Sequence, residues 1–388
     1  MNQNERMKEL DSMRGLAATS VVLSHFLGVV PLYFVIYLSN SPFHIFWAGH
    51  EAVLFFFILS GFVLSLPYYN NKNQEYKNYL IKRICRLYIP YLTSVIIAVL
   101  LLILIPRIKA PELTGWFNGI APPITIWQIL NHLLPLGDFQ SASYNFVIWS
   151  LVHEMRISIF FPFLMYFVLK FDWKKVISFG VIISVFCLLT WYSSIKFFKY
   201  DLVKFDTSYL LTLHYISFFM IGALLSKHRK FFNSMYMRIS LGFKLLILAI
   251  AILAYTFSWW FFHNVFFLHF QFIDDWVIGL GCSIFIIFSV NSNIIKSIML
   301  FKPIHFIGEI SYSLYLIHVP VLLSSVNILY EKLPIGLILV SSFVFSFIAA
   351  SLMYYFIEKP SIKLGKLLTS PTLTLEKNKV TKRASVKI

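Results

Sequence analysis

Long runs of apolar residues, rather than an alternation of apolar and polar positions, dominate this chain. A helix that crosses the hydrocarbon core of a bilayer needs about 20 apolar residues. Runs of this length predict an all-α polytopic membrane protein with about ten transmembrane helices in one bundle. The predicted spans are 15–38, 50–68, 88–105, 146–169, 176–193, 209–225, 241–262, 274–290, 308–330 and 335–357.

The composition supports this interpretation. Of the 388 residues 59% are hydrophobic and 13% are charged, whereas a soluble domain carries roughly 25% charged residues. Cys85, Cys187 and Cys282 are far apart, so we expect neither a disulfide framework nor a cysteine metal site. We also expect no cleavable signal peptide, because the first apolar run is long and follows a leader of mixed charge.

The net charge of +16 is distributed unevenly along the chain. Lysine and arginine concentrate in the leader, in the even-numbered connections and after the last span, which predicts that both termini lie in the cytoplasm. The basic excess then sets the orientation and attracts anionic membrane lipid, and we expect no nucleic-acid partner. We assign residues 1–368 to a transmembrane domain and residues 369–388 to a basic, disordered cytoplasmic tail.

The longest connection, residues 106–145, is predicted to lie outside the cell. It contains "TIWQILNHLLPL", whose apolar residues recur at helical spacing. This segment is either a helix that lies in the membrane interface or a re-entrant piece that shapes an acceptor site.

Two ionisable residues stand out in the first span. Arg14 and His25 are eleven positions apart, so both lie on one helix face, separated by about 16 Å along the axis. We place Arg14 at the cytoplasmic mouth and His25 near the middle of the membrane. An ionisable group inside a bilayer is a functional candidate, although Arg14 alone also fits a membrane anchor and His25 alone fits a core histidine with a hydrogen-bonded neighbour.

The fourth span contains His153, Glu154 and Arg156 within "WSLVHEMRISIF". Glu154 shares a helix face with Ser150 and Ser158, which are four residues to either side. Three ionisable residues at this depth indicate a site that faces the bundle interior. A structural ion pair with another span is the alternative.

Further polar residues mark the second and ninth spans. Tyr315 and His318 share one face of the ninth span. They are either part of a functional site or buried residues that hydrogen-bond to neighbours in the core. Ser60 precedes a glycine in the second span, where it either permits close packing or thins the wall beside a substrate.

A basic cluster, Lys82, Arg83 and Arg86, follows the second span on the cytoplasmic side. Guanidinium groups suit phosphate binding. Anchoring to lipid headgroups is the alternative.

These stretches resemble the acyltransferase-3 family of integral membrane acyltransferases. The matching pieces occur in the family's order and extend from residue 10 to about residue 360: "LDSMRGLAATSVVLSHF", "FFFILSGFVLS", "KRICRLYIPY", "WSLVHEMRISIFFP", "IGEISYSLYLIHVP" and "FIEKP". The resemblance implies a ten-helix bundle that takes an acyl group, usually acetyl, from cytoplasmic acyl-CoA. It passes the group to a hydroxyl of a carbohydrate or glycolipid acceptor such as lipopolysaccharide, exopolysaccharide or peptidoglycan.

The resemblance also implies roles for the residues that match the family's motifs. His25, Arg14 and Glu154 are expected to be catalytic, with His25 either as general base or as a covalently acylated nucleophile. No metal is expected. The donor phosphates are expected to contact four basic residues: Arg14, Lys82, Arg83 and Arg86. The acceptor cavity is expected to be lined by five residues: Ser60, His153, Arg156, Tyr315 and His318.

The chain departs from the family pattern in two places. Many members have "WSLSVEEQFYL" where this chain has "WSLVHEMRISI", which puts the identity of the acceptor in doubt. Some members also carry a C-terminal SGNH hydrolase-like domain, which we do not expect here. The abundance of Phe, Ile and Lys is typical of a bacterium with an AT-rich genome, so we expect the protein in the inner membrane of a bacterium, and self-association stays open.

Two other classes of function remain. A transporter or flippase for a sugar or a polyprenyl-linked glycan would also bury charged residues, but it would not need acyl-CoA. A sensory or scaffold membrane protein would use the same residues to pack helices, and it would tolerate alanine at Arg14, His25 and Glu154.

Overall fold

The computed structural model describes residues 7–70, 75–119, 125–135, 137–141, 144–261 and 271–370. Every regular element within these residues is helical, which confirms the prediction of an all-α polytopic membrane protein. Eight helical segments there are long and apolar enough to cross a membrane. They are α3 (Gly49–Tyr69), α4–α5 (Tyr76–Leu104), α8 (Ile148–Lys170), α9 (Trp173–Phe198), α10 (Tyr209–Lys227), α14 (Gln271–Asn291), α16 (Lys302–Leu329) and α17–α18 (Ile335–Leu368).

Two of these segments each contain a short stretch of wider π-helix. In the first, α4 (Tyr76–Arg83) passes through Ile84–Tyr88 into α5 (Ile89–Leu104), and in the second, α17 (Ile335–Met353) passes through Tyr354–Glu358 into α18 (Lys359–Leu368). A proline lies two residues after each π stretch, Pro90 and Pro360. Proline cannot donate a backbone hydrogen bond, so it favours an adjustment in the turn before it.

The other described helices are shorter or more polar. They are α1 (Lys8–Leu27), α2 (Tyr33–Ser39), α6 (Gly115–Gly119), α7 (Ile126–Leu133), α11 (Arg229–Arg238), α12 (Leu241–Tyr255), α13 (Phe257–Trp260) and α15 (Asn293–Met299). Helix α7 coincides with the "TIWQILNHLLPL" segment. Of the predicted tail, residues 371–388 lie outside the described residues.

The first predicted span, 15–38, is wrong in its bounds. Helix α1 begins at Lys8 and ends at Leu27, and a break separates it from α2. Gly28 follows the helix and Pro31 excludes the helical conformation from the residue before it, so the helix does not continue. His25 therefore lies two residues from the end of α1, not near the middle of a span. The seventh predicted span is interrupted in the same way, since α12 ends at Tyr255.

Close backbone contacts hold the centre of the bundle together. A Cβ atom built on Gly222 of α10 would lie 1.9 Å from the carbonyl oxygen of Ile58 in α3, and one built on Gly61 would lie 2.1 Å from that of Phe219. The backbones of α1 and α16 also meet closely, since a Cβ atom built on Gly15 would lie 2.5 Å from the backbone nitrogen of Gly308. Small residues at such crossings let helices associate inside a membrane, where lipid gives no hydrophobic drive.

Replacing Gly222 with alanine is expected to destabilise the bundle by roughly 1–3 kcal/mol, because the new methyl group would force α10 away from α3. Thermal unfolding in detergent would measure the loss as a lower midpoint temperature. Gly242→Ala is the matched control, since a Cβ there meets no atom within 4 Å. Equal midpoints for the two variants would contradict the proposed tight crossing.

Candidate functional site

A cavity of about 380 Å³ lies among α1, α3, α8, α16 and the two π stretches. Its lining includes Met7 and Lys366, at the end of the bundle where α1 begins and α18 ends. We name this end of the bundle the inner end, because the basic pattern predicts that it faces the cytoplasm, and the opposite end the outer end. Six of the residues singled out in the sequence line the cavity: Arg14, Ser60, Arg83, Arg86, Glu154 and Tyr315.

Glu154 is the hub of the cavity wall. Its Oε1 atom accepts hydrogen bonds from Ser60 Oγ and from the Arg83 guanidinium, each at 3.0 Å. Arg83 also donates to Ser158 Oγ at 2.7 Å. These contacts join α3, α4 and α8. Because removing one partner of a buried ion pair leaves the other charge uncompensated, this hub fixes the shape of the cavity.

The other two arginines of the cavity differ in what they contact. Arg14 donates to Asp11 at 3.2 Å. Arg86 lies in the first π stretch and donates no hydrogen bond to any described residue, although it lines the cavity. Its planar fork of donors is therefore available to a phosphate.

His25 and His318 form a hydrogen-bonded pair, which we call the dyad. His25 Nδ1 lies 2.8 Å from His318 Nε2, and His318 Nδ1 lies 2.9 Å from the carbonyl oxygen of Leu314. A carbonyl can only accept, so His318 Nδ1 carries its proton, and in the neutral ring Nε2 accepts. His25 Nδ1 is then the donor, and the lone pair of His25 lies on Nε2, which no described residue contacts by a hydrogen bond.

The dyad lies beyond the outer tip of the cavity. Tyr315 lines the cavity and its ring centroid is 6.1 Å from that of His318. The Tyr315 hydroxyl is 2.7 Å from Ser150 Oγ and donates to the Val147 carbonyl at 3.1 Å. Tyr315 therefore forms the partition between the cavity and the dyad.

Aromatic rings enclose the dyad from the outer side. The His25 ring packs edge-on against Phe146 at 4.5 Å and stacks with Trp116 at 5.9 Å. Trp116 belongs to α6 in the long connection. This connection therefore reaches the dyad through Trp116, whereas the "TIWQILNHLLPL" segment contributes no ring to it.

His153 and Arg156 lie away from the cavity, on the other side of α8. His153 hydrogen-bonds to Thr212 at 2.8 Å and to the Asp206 carbonyl at 2.9 Å. Arg156 donates to Thr212 and to the carbonyl of Gly137. Burial raises the pKa of the Asp206 carboxyl. His153 and Arg156 thus hold the connections that contain Gly137 and Asp206 against α8. Their role in binding a substrate stays a prediction.

The structure also separates Lys82 from the other basic residues, since it is exposed and does not line the cavity. Asp11, Glu358 and Lys366 do line it, and none was singled out in the sequence. Glu358 accepts a hydrogen bond from Ser313 at 2.6 Å, and its place in "FIEKP", at the end of an apolar run, was the available signal. Within the described residues no group of three or more His, Cys, Asp or Glu side chains is placed to hold a metal ion.

The chain matches a family model described as an acyltransferase domain over residues 7–355. No curated protein and no solved structure matches it. The match extends over the Glu154 hub, the dyad and the cavity lining up to Tyr354. The protein is therefore a multi-pass membrane acyltransferase, and the chain belongs to the acyltransferase-3 family.

Proposed function

We propose that the protein transfers an acetyl group from acetyl-CoA to a hydroxyl of a cell-surface carbohydrate, such as lipopolysaccharide O-antigen, exopolysaccharide or peptidoglycan, in the inner membrane of a bacterium. The observation that supports this most strongly is the dyad, which holds an imidazole lone pair beyond the tip of a cavity whose lining includes Arg14, Arg86 and Lys366, interspersed with acidic side chains.

The cavity suits a donor that carries its phosphates at one end and its thioester at the other. Arg86, Arg14 and Lys366 line the inner part, where the phosphates of acetyl-CoA would enter from the cytoplasm. The acyl-bearing arm would then extend along α3 and α8 towards Tyr315. Because Arg83 is already bound to Glu154, it holds the wall in place and contributes less to the phosphates than Arg86.

The chemical step needs one base. The acceptor hydroxyl gives its proton to His25 Nε2 while its oxygen attacks the thioester carbonyl, and His318 Nε2 accepts the Nδ1–H of the imidazolium that forms. The carbon–sulfur bond breaks, and the CoA thiolate takes the proton back from His25. The products are the acetyl ester and free CoA, and His25 returns to its neutral form.

The experiment that tests this function uses the purified protein in nanodiscs with acetyl-CoA labelled on the acetyl group. The acceptor is a glycan extract from the membranes of source cells that lack the gene. We expect free CoA to appear and label to enter the glycan, and label retained on the protein would indicate an acyl-histidine. If the protein neither bound acetyl-CoA nor released CoA, the proposal would be rejected and transport of a glycan would be favoured.

Arg86→Ala is expected to raise the KM for acetyl-CoA about tenfold with little change in kcat, because one phosphate contact of roughly 1.4 kcal/mol would be lost. Initial rates of CoA release over a range of acetyl-CoA concentrations would measure this. Lys77→Ala is the control, since this exposed lysine of α4 lies outside the cavity. An unchanged KM in Arg86→Ala would exclude Arg86 from donor binding.

A further inference from the structure

A second cluster of imidazoles lies near the outer end of the bundle. Asp275 of α14 is fully buried, and its carboxylate contacts two histidines. His50 Nε2 of α3 lies 2.6 Å from Oδ1, and His214 Nε2 of α10 lies 3.1 Å from Oδ2. The His214 side chain is also fully buried, whereas 36% of the His50 side chain is exposed. The cluster therefore has one open end, and His50 forms it.

The hydrogen bonds of this cluster converge on the two oxygens of the Asp275 carboxylate. Trp276 can only donate, and its Nε1 lies 3.0 Å from Ser184 Oγ. Ser184 then donates its proton to His214 Nδ1 at 2.9 Å, and His214 Nε2 donates to Asp275. His50 Nε2 donates to the other carboxylate oxygen. His50 Nδ1 is left as the one ring nitrogen of the two histidines that has no partner among the described residues.

His50 continues the wall of the donor cavity towards the outer end. Val53, Phe57 and Ser60 line the cavity, and they follow His50 by three, seven and ten residues, so all four share one face of α3. The face of α1 that carries Arg14 leads in the same way to His25, and the face of α16 that carries Tyr315 leads to His318. Three cavity-lining helix faces thus end in a histidine beyond the outer tip.

Two contacts place His50 beside the dyad. A Cβ atom built on Gly49 would lie 2.8 Å from Ser24 Oγ, so the residues that precede His50 and His25 touch. The His50 ring also faces Trp149, with 6.4 Å between centroids and 13° between planes. Trp149 follows Phe146, which packs against His25, by three residues. An aromatic surface and an open imidazole nitrogen therefore lie next to the proposed base.

We propose that His50 Nδ1, held in place by Asp275 and His214, binds a hydroxyl of the acceptor and positions it for His25. This inference rests on the proposed function. Sites for small polar ligands combine aromatic walls with a few fixed polar groups, and Trp149 with His50 supplies this combination. The donor enters from the inner end, so the acceptor approaches from the end where His50 is open.

The test is His50→Gln. Glutamine can still donate to Asp275 from a nitrogen placed like Nε2, but it has no group in the place of Nδ1. With the same membrane glycan extract as acceptor, we expect the KM for the extract to rise at least tenfold. The KM for acetyl-CoA is expected to stay unchanged. His305→Gln, which replaces a histidine at the inner end, is the matched control.

An unchanged KM for the extract in His50→Gln would overturn the inference, and so would an equal rise in the KM for acetyl-CoA. Binding of the extract is followed separately through tryptophan fluorescence, which needs no turnover. If the wild type released no CoA, the proposed function would fail. Saturable binding that His50→Gln abolished would then still support the subsite, and binding that it left unchanged would reject it.

Discussion

Replacing His25 with alanine is expected to lower the rate of acyl transfer by about 10²- to 10⁴-fold, which is the usual contribution of a positioned general base. The loss is expected in kcat. The His25 ring does not line the cavity that would hold acetyl-CoA, so the affinity for the donor is expected to stay the same. Rates of label transfer to the glycan extract, and equilibrium binding of acetyl-CoA, would separate the two effects.

His25→Asn makes this prediction sharper. The asparagine amide can still donate to His318 from the position of Nδ1, but it has no lone pair in the place of Nε2. We therefore expect His25→Asn to lose as much activity as His25→Ala while its thermal midpoint stays closer to that of the wild type. Activity of His25→Asn within threefold of the wild type would show that Nε2 is not the base.

The apolar pattern was sufficient to predict most of the fold. The fourth, sixth and eighth predicted spans differ from α8, α10 and α14 by no more than three residues at either end, because long apolar runs have one stable form in a bilayer. The first span failed because hydropathy continues through Val29–Val30 and from Leu32 onward, whereas Gly28 and Pro31 end the helix. The backbone preferences of glycine and proline set that boundary, and hydropathy averaged along the chain does not detect them.

Part of the candidate site was accessible in the same way. Arg14, Arg83, Arg86 and Glu154 stood out as charges at the ends of or within apolar runs, and the structure brings all four to one cavity. The pairing of Arg83 with Glu154 depends on how α4 packs against α8, which the spacing along the chain does not specify.

Other parts of the site depend on packing alone. His25 and His318 are 293 positions apart, so the hydrogen bond that defines the dyad leaves no trace in either local sequence. His50 was missed because it is the first residue of its predicted span and resembles a boundary residue. Asp275 lies at the start of α14, where an acidic residue is common for helix stability alone. His50 becomes a candidate site residue only when the fold brings the buried Asp275 carboxylate into contact with it.

His318→Phe is expected to lower kcat by about 10- to 100-fold without changing the KM for acetyl-CoA. The Nδ1–H of the His25 imidazolium would lose its acceptor in a buried site, and a hydrogen bond to a charged group contributes about 1.5–3 kcal/mol. Phenylalanine fills a similar volume, so the loss would not come from a cavity. Steady-state rates of acyl transfer at saturating extract would measure the change.

His318→Gln separates this positioning role from simple packing. The side-chain oxygen of glutamine can accept from His25 Nδ1, so we expect His318→Gln to retain at least tenfold more activity than His318→Phe. Thermal midpoints of the two variants provide the control, because a purely structural His318 would make activity follow stability. His318→Phe with the stability and the activity of the wild type would contradict this role. His25 would then act as a base without a hydrogen-bonded partner.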